Sequence, residues 1–152
     1  MANKIQNFDT GEKDNSNIIH LDLDPKINIE NKIYFKNLLK KIAECSLDNL
    51  EENLENLYHV DAEFNGFHPI NEIRGIEEIK NKYLIPLKKA FPDLERRNNL
   101  VIGGSFRDKV FVSFISHLTG TFKNEWLGVK PTNKTIYLRT VSYTHLTLPT
   151  KA

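Results

Sequence analysis

Pro86-Leu87-Lys88-Lys89-Ala90-Phe91-Pro92-Asp93-Leu94-Glu95-Arg96-Arg97 is the stretch in which the chain changes its period. Before it, apolar residues recur at helical spacing. Ile76, Ile79, Tyr83, Leu87 and Ala90 share one face of a helix opened by Gly75. Pro86 lies inside that helix, lacks an N–H, and is expected to kink it. Phe91-Pro92-Asp93 stops it, because the residue before a proline avoids the helical region. Strands follow: Leu94 to Ile102, a turn at Arg107-Asp108-Lys109, Val110 to Leu118, a loop carrying Trp126, and Thr135 to Arg139. In the strongest strand Val110, Val112 and Phe114 point one way, and Phe111, Ser113, Ile115 and His117 the other.

Working back toward the N-terminus, Phe35, Leu38, Leu39 and Ile42 form one stripe of a helix from Ile29 to Ala43. Leu47, Leu50, Leu54 and Leu57 form the stripe of a second helix, with Ser46 placed to cap it. Tyr58 to Phe67 reads as a strand with a polar break. Helices first and antiparallel strands later make an α+β layout. Residues 1–27 are rich in Asn, Asp, Lys and Ser and are expected to stay disordered, since they offer little apolar surface against ordering entropy. The domain is expected to span residues 28–139.

Composition narrows the function. At 152 residues the chain is long enough for one domain. A formal net charge of +1 gives no electrostatic footprint for nucleic acid or for an anionic membrane. Cys45 is the single cysteine, so no internal disulfide can form and a reducing, cytoplasmic setting is expected. Beside Ala43 at a helix end it reads as a small buried hydrophobe. No apolar run approaches ~18 residues, and the first residues lack the apolar region of a signal peptide. His59, Asp61 and His68 come nearest to a metal cluster but meet no ligand spacing. Gly103-Gly104 is too short for a phosphate loop. No metal and no cofactor are therefore expected.

Several residues can carry chemistry, each with a plainer reading beside it. His68 precedes Pro69, Asn71, Glu72 and Arg74, a group able to line a pocket mouth; His68 can serve there as acid or base, yet His68 and Asn71 can equally brace a turn. His117, on the face with Ser113, can act as a base if that face is concave, or be a core histidine bonded to a carbonyl. Trp126 can stack on an aromatic ligand or cover the core. Tyr137 and Arg139 share a strand face, where Arg139 can hold an enolate oxygen or form a surface salt bridge. Asp93, Glu95, Arg96 and Arg97 read as a structural block, and Lys88-Lys89 as a solvated helix face.

Four blocks in fixed order carry a resemblance. They are Gly66-Phe67-His68-Pro69-Ile70-Asn71-Glu72-Ile73-Arg74-Gly75, the Pro86 to Arg97 stretch, His117-Leu118-Thr119-Gly120-Thr121-Phe122, and Trp126-Leu127-Gly128-Val129-Lys130-Pro131-Thr132. Together, over about Ile29 to Arg139, the chain resembles the SnoaL-like polyketide cyclases, a branch of the NTF2-like superfamily. The resemblance implies a cone: a curved antiparallel sheet packed with about three N-terminal helices around one pocket. It implies cofactor-free acid/base chemistry, aldol cyclisation or isomerisation, on a small hydrophobic carbonyl compound, and a homodimer formed through the open sheet face. In that reading His117, His68 and Arg139 are catalytic, and Asn71, Glu72, Arg74, Ser113, Trp126 and Tyr137 contact substrate. The alternative is a non-catalytic module that binds a small ligand or dimerises. The family's key aspartate lies late in the fold and has no match here.

Val141-Ser142-Tyr143-Thr144-His145-Leu146-Thr147-Leu148-Pro149-Thr150 resembles a translated sequencing adapter. The other reading is a polar strand, which Val-Ser-Tyr-Thr favours by propensity. On the adapter reading residues 140–152 are a non-native tail and the last strand is truncated.

Overall fold

The computed structural model describes residues 23–106 and 109–146. Most of the expected disordered tail, the turn at Arg107-Asp108 and the last residues of the chain lie outside them.

Helix α1 runs Pro25–Glu44, starting earlier than its apolar stripe suggests. The Asp24 carboxylate accepts the Lys26 N–H at 2.8 Å, and Pro25 occupies the first turn with its φ already suited to a helix. Leu38, Leu39, Ile42 and Ala43 are its buried stripe. A 3-10 turn, Leu47–Asn49, leads into α2, Leu50–Glu55, which buries Leu50, Asn53 and Leu54.

The expected strand over Tyr58 to Phe67 is reduced to β1, Glu63–Asn65, paired antiparallel with β2, Glu72–Arg74. The third helix is broken into α3, Ile76–Glu78, a π-helical stretch, Ile79–Leu84, and α4, Ile85–Ala90. Pro86 explains the break. A proline removes one helical donor and crowds the carbonyl four residues back. Opening the preceding turn, with the Ile85 N–H bonded to Lys80 O, relieves that crowding.

The main sheet has three antiparallel strands in the order β3-β4-β5: Glu95–Phe106, Lys109–Thr121 and Thr135–Leu146. The register shifts between Asn98 and Leu100, a bulge that helps the sheet to curve. Alternation along β4 holds as read: Val110, Val112, Phe114, Ser116 and Leu118 are buried, while Phe111, Ser113, Ile115 and His117 are half-buried on the other face. Helix α1 lies against the inner face at Gly103, whose carbonyl accepts from the Asn28 amide at 3.0 Å, and a Cβ there would have to displace the Asn28 and Lys32 side chains.

β5 runs on past Arg139 to Leu146, with Thr140 opposite Ser116 and Ser142 opposite Phe114. An alternation of polar and β-branched or aromatic residues beside an open strand forms a ladder by propensity and partner alone, whatever its origin. At the other end of the sheet Phe91 and Phe122 stack with centroids 5.2 Å apart. Asp93 braces the turn after α4 by accepting the Thr121 N–H and hydroxyl, each at 2.7 Å. Those two bonds hold the Asp93 carboxyl below its ordinary value.

Candidate functional site

Helices and sheet do not close completely. Between them lies a cavity with about 520 Å³ of empty space out to its mouth, of which about 70 Å³ can be reached by the centre of a water molecule. Leu39, Leu87 and Leu118 supply apolar wall, and Tyr58, Tyr83, Lys88, Arg96 and Ser142 supply polar groups. About five waters, or one compact ring, fill such a space, at ~10–15 Å³ of centre-reachable volume per water.

Arg96 is one of two buried cations in the cavity wall. It points inward from β3 because it shares parity with Leu94, and is 8% exposed. Its Nε donates to Asn98 Oδ1 at 3.0 Å and one Nη to Ser116 Oγ at 3.0 Å; Ser116 Oγ donates to the same Asn98 oxygen at 2.9 Å. The guanidinium carbon lies 5.8 Å from the centroid of the Phe114 ring. No carboxylate forms an ion pair with it among the described residues. Glu44, exposed at the end of α1, accepts the Arg96 backbone N–H at 3.3 Å and not the guanidinium. Burial pulls the Arg96 side chain below its ordinary pKa, and the Tyr83 and Tyr58 phenols act against that shift. Burial also pushes Tyr58 up to about 12 and raises Tyr83.

Lys88 is the second buried cation, 8% exposed. Its ammonium donates to Ala43 O at 2.7 Å and Cys45 O at 2.8 Å, the carbonyls that close α1. A cation there satisfies groups that a helix end otherwise leaves unpaired. Burial pulls Lys88 below its ordinary value, outweighing Cys45 and Glu44.

None of the residues expected to be catalytic or to contact substrate lines this cavity. His117 stands on the outer face of the sheet, opposite Arg97 on one side and Arg139 on the other, with Nδ1 2.6 Å from Asn99 Oδ1. The face that carries His117 is therefore not the one turned to the helices. Tyr137 and Arg139 are exposed on that outer face, and Ser113 there donates to Ser142 O at 3.1 Å. His68 is exposed in the β1–β2 turn. Asn71 closes the same turn, with φ 55° and its amide donating to Pro69 O at 3.2 Å. Arg74 pairs with Glu63 at 3.1 Å and Glu72 at 3.6 Å in water. Trp126 packs edge-to-face on Phe91 and Phe67, centroids 5.8 and 5.9 Å away, as a cover for the core beyond the cavity.

Arg96, expected in a structural block, and Lys88, expected on a solvated helix face, both line the cavity instead. The signals were parity with Leu94 for the first and a position one turn after Leu84 for the second, both masked by the habit of placing such charges in solvent.

Two solved structures share this arrangement. One is a protein from Jannaschia sp. CCS1 named as a candidate SnoaL-like polyketide cyclase: TM-score 0.59, 22% identity, covering 83% of this chain and 82% of that one. The other is AclR, a candidate hydroxylase from Streptomyces galilaeus: TM-score 0.58, 19% identity, covering 78% and 68%. The fold is SnoaL-like. The SnoaL-like, NTF2-like architecture explains why the hollow sits between the helices and the inner sheet face. At these identities the likeness concerns the fold and not the chemistry. No family model matches the chain, and no curated protein matches it. No helix among the described residues is long and apolar enough to cross a membrane.

Proposed function

We propose that the protein binds a compact, mostly apolar small molecule in the cavity, with the ligand's polar end at Arg96. The observation that carries this reading is the hollow itself, lined by Leu39, Leu87 and Leu118 together with the polar groups of Tyr58, Tyr83, Lys88 and Arg96. The test is a thermal-shift screen of one-ring carbonyl compounds against the full chain and against Leu39→Phe, which fills the space. Ligands that raise the melting temperature of the first and not of the second support the reading. Failure of every compound to shift it, or equal shifts in both proteins, contradicts it.

A second reading, cofactor-free cyclisation or isomerisation of a small carbonyl compound, is favoured by Lys88. Burial favours release of a proton from Lys88, and the neutral amine so formed can take a proton from carbon, while Arg96 holds the enolate oxygen. Proton–deuterium exchange at the α-carbon of a bound ketone, lost in Lys88→Met, is its signature. Binding without exchange leaves the first reading alone.

The outer sheet face leaves Leu100, Ile102, Val141 and Tyr143 exposed, and we assign it to a second copy of the chain. Sedimentation should give a dimer that Ile102→Lys converts to monomer; a monomeric wild type contradicts this. The single free thiol fits a cytoplasmic protein.

A further inference from the structure

We infer that the cavity selects an anion: a compact organic carboxylate whose oxygens are gripped by Arg96 and whose apolar body lies against Leu39, Leu87 and Leu118. This rests on the ligand-binding reading above and names the class of ligand.

Charge balance is the first argument. Arg96 and Lys88 line one cavity, each 8% exposed, and the described ion pairs all lie elsewhere. A buried cation without a counter-charge is unfavourable, and an anion entering beside it restores the balance. Lys88 is already committed to two carbonyls. Arg96 gives only two of its five N–H groups, both to neutral acceptors.

The second argument is donor inventory. A guanidinium has five N–H groups. Asn98 and Ser116 take one each. The rest have no acceptor among the described residues, and no Arg96 nitrogen is a sealed, unpartnered atom. On a side chain this buried in the cavity wall, those donors therefore face the hollow. A carboxylate matches the guanidinium fork in two parallel bonds. Asn98, Ser116 and the Phe114 ring fix the plane of the fork beforehand, so little freedom is lost on binding.

The third argument separates organic acids from inorganic anions. Leu39, Leu87 and Leu118 also line the hollow; a ring carboxylate has a carbon skeleton to bury against them, and phosphate has none.

A purely structural Arg96, serving only to bridge Asn98 and Ser116, makes no distinction between charged and neutral ligands. The experiment uses that difference. Calorimetric titration of the full chain at neutral pH compares benzoate, benzamide and inorganic phosphate, for wild type, Arg96→Gln and Arg96→Lys. Benzoate is expected to bind at least tenfold more tightly than benzamide in wild type. Arg96→Gln should lose that preference, and Arg96→Lys should regain part of it. Equal affinity for benzoate and benzamide, or an undiminished preference in Arg96→Gln, overturns the anion assignment and leaves the cavity reading standing. Binding of phosphate as tight as benzoate overturns the organic-acid class. Binding of none of the three removes the cavity reading with it. The wild-type comparison of benzoate with benzamide needs no variant, so an Arg96→Gln protein that fails to fold leaves the test decisive.

Discussion

Arg96 and His117 stand on neighbouring strands one position out of register, so their side chains leave the sheet on opposite faces. Arg96 is opposite Leu118, and His117 is opposite Arg97. The consequence is a division of labour: Arg96 faces the hollow, and His117 faces the side assigned to a second copy. His117→Ala is therefore expected to leave ligand affinity within twofold of wild type. Its effect on folding should stay within about 0.5 kcal/mol, the usual range for a surface change. Titration calorimetry and thermal melting read both numbers, and a tenfold loss of affinity would move the site to the outer face.

Asp93 couples folding to acid. Its carboxyl is held below its ordinary value by the Thr121 hydroxyl and N–H. A depressed carboxyl stabilises the fold above its unfolded pKa, and that stability is lost as pH falls through the folded value. Melting temperatures of wild type should drop below about pH 4, the unfolded range for Asp. Asp93→Asn should be less stable at neutral pH and should show a shallower acid drop. Identical acid profiles for the two proteins would remove Asp93 from the balance.

Tyr58 gives the alkaline counterpart. Its phenol is raised to about 12 by burial and by Tyr83. A raised group keeps its full contribution below the unfolded pKa, near 10, and loses it as pH climbs toward about 12. Ultraviolet titration should show Tyr58 ionising only in the upper part of that window, together with unfolding. A single transition near 10 that Tyr58→Phe reduces would show Tyr58 to be solvated, and the cavity wall open.

The course of this chain shows what local pattern can and cannot carry. The α+β order was legible because helical and strand periods are properties of neighbouring residues, and Val110, Val112 and Phe114 declared their shared face by alternation alone. Which face turns toward the helices was not legible. It depends on where α1 lands, and α1 lands against Gly103, a contact between residues far apart in sequence. That choice decided His117 and Arg96 together. Pro86 was read as a kink; the π-helical turn that accommodates it needed the backbone. Lys88 looked solvated until the end of α1 arrived above it.

The segment past Arg139 makes its own prediction. Residues 140–146 extend β5 along β4, and Ser142 reaches the cavity wall. A chain ending at Arg139 would bare the ladder groups of Val110 to Ser116 and open the hollow. Its melting temperature is expected to fall by several degrees, since about 1 kcal/mol corresponds to roughly 2–4 °C in a chain of about 150 residues or more. An unchanged melting temperature would show the segment to be a passenger, as a translated adapter would be.

The most direct test of the whole account is a crystal structure of the full chain soaked in benzoate. The account predicts the ring among Leu39, Leu87 and Leu118, with carboxylate oxygens about 2.7–3.2 Å from Arg96 nitrogens. Side chains filling that hollow, or benzoate bound instead on the outer face beside His117 and Arg139, would contradict it.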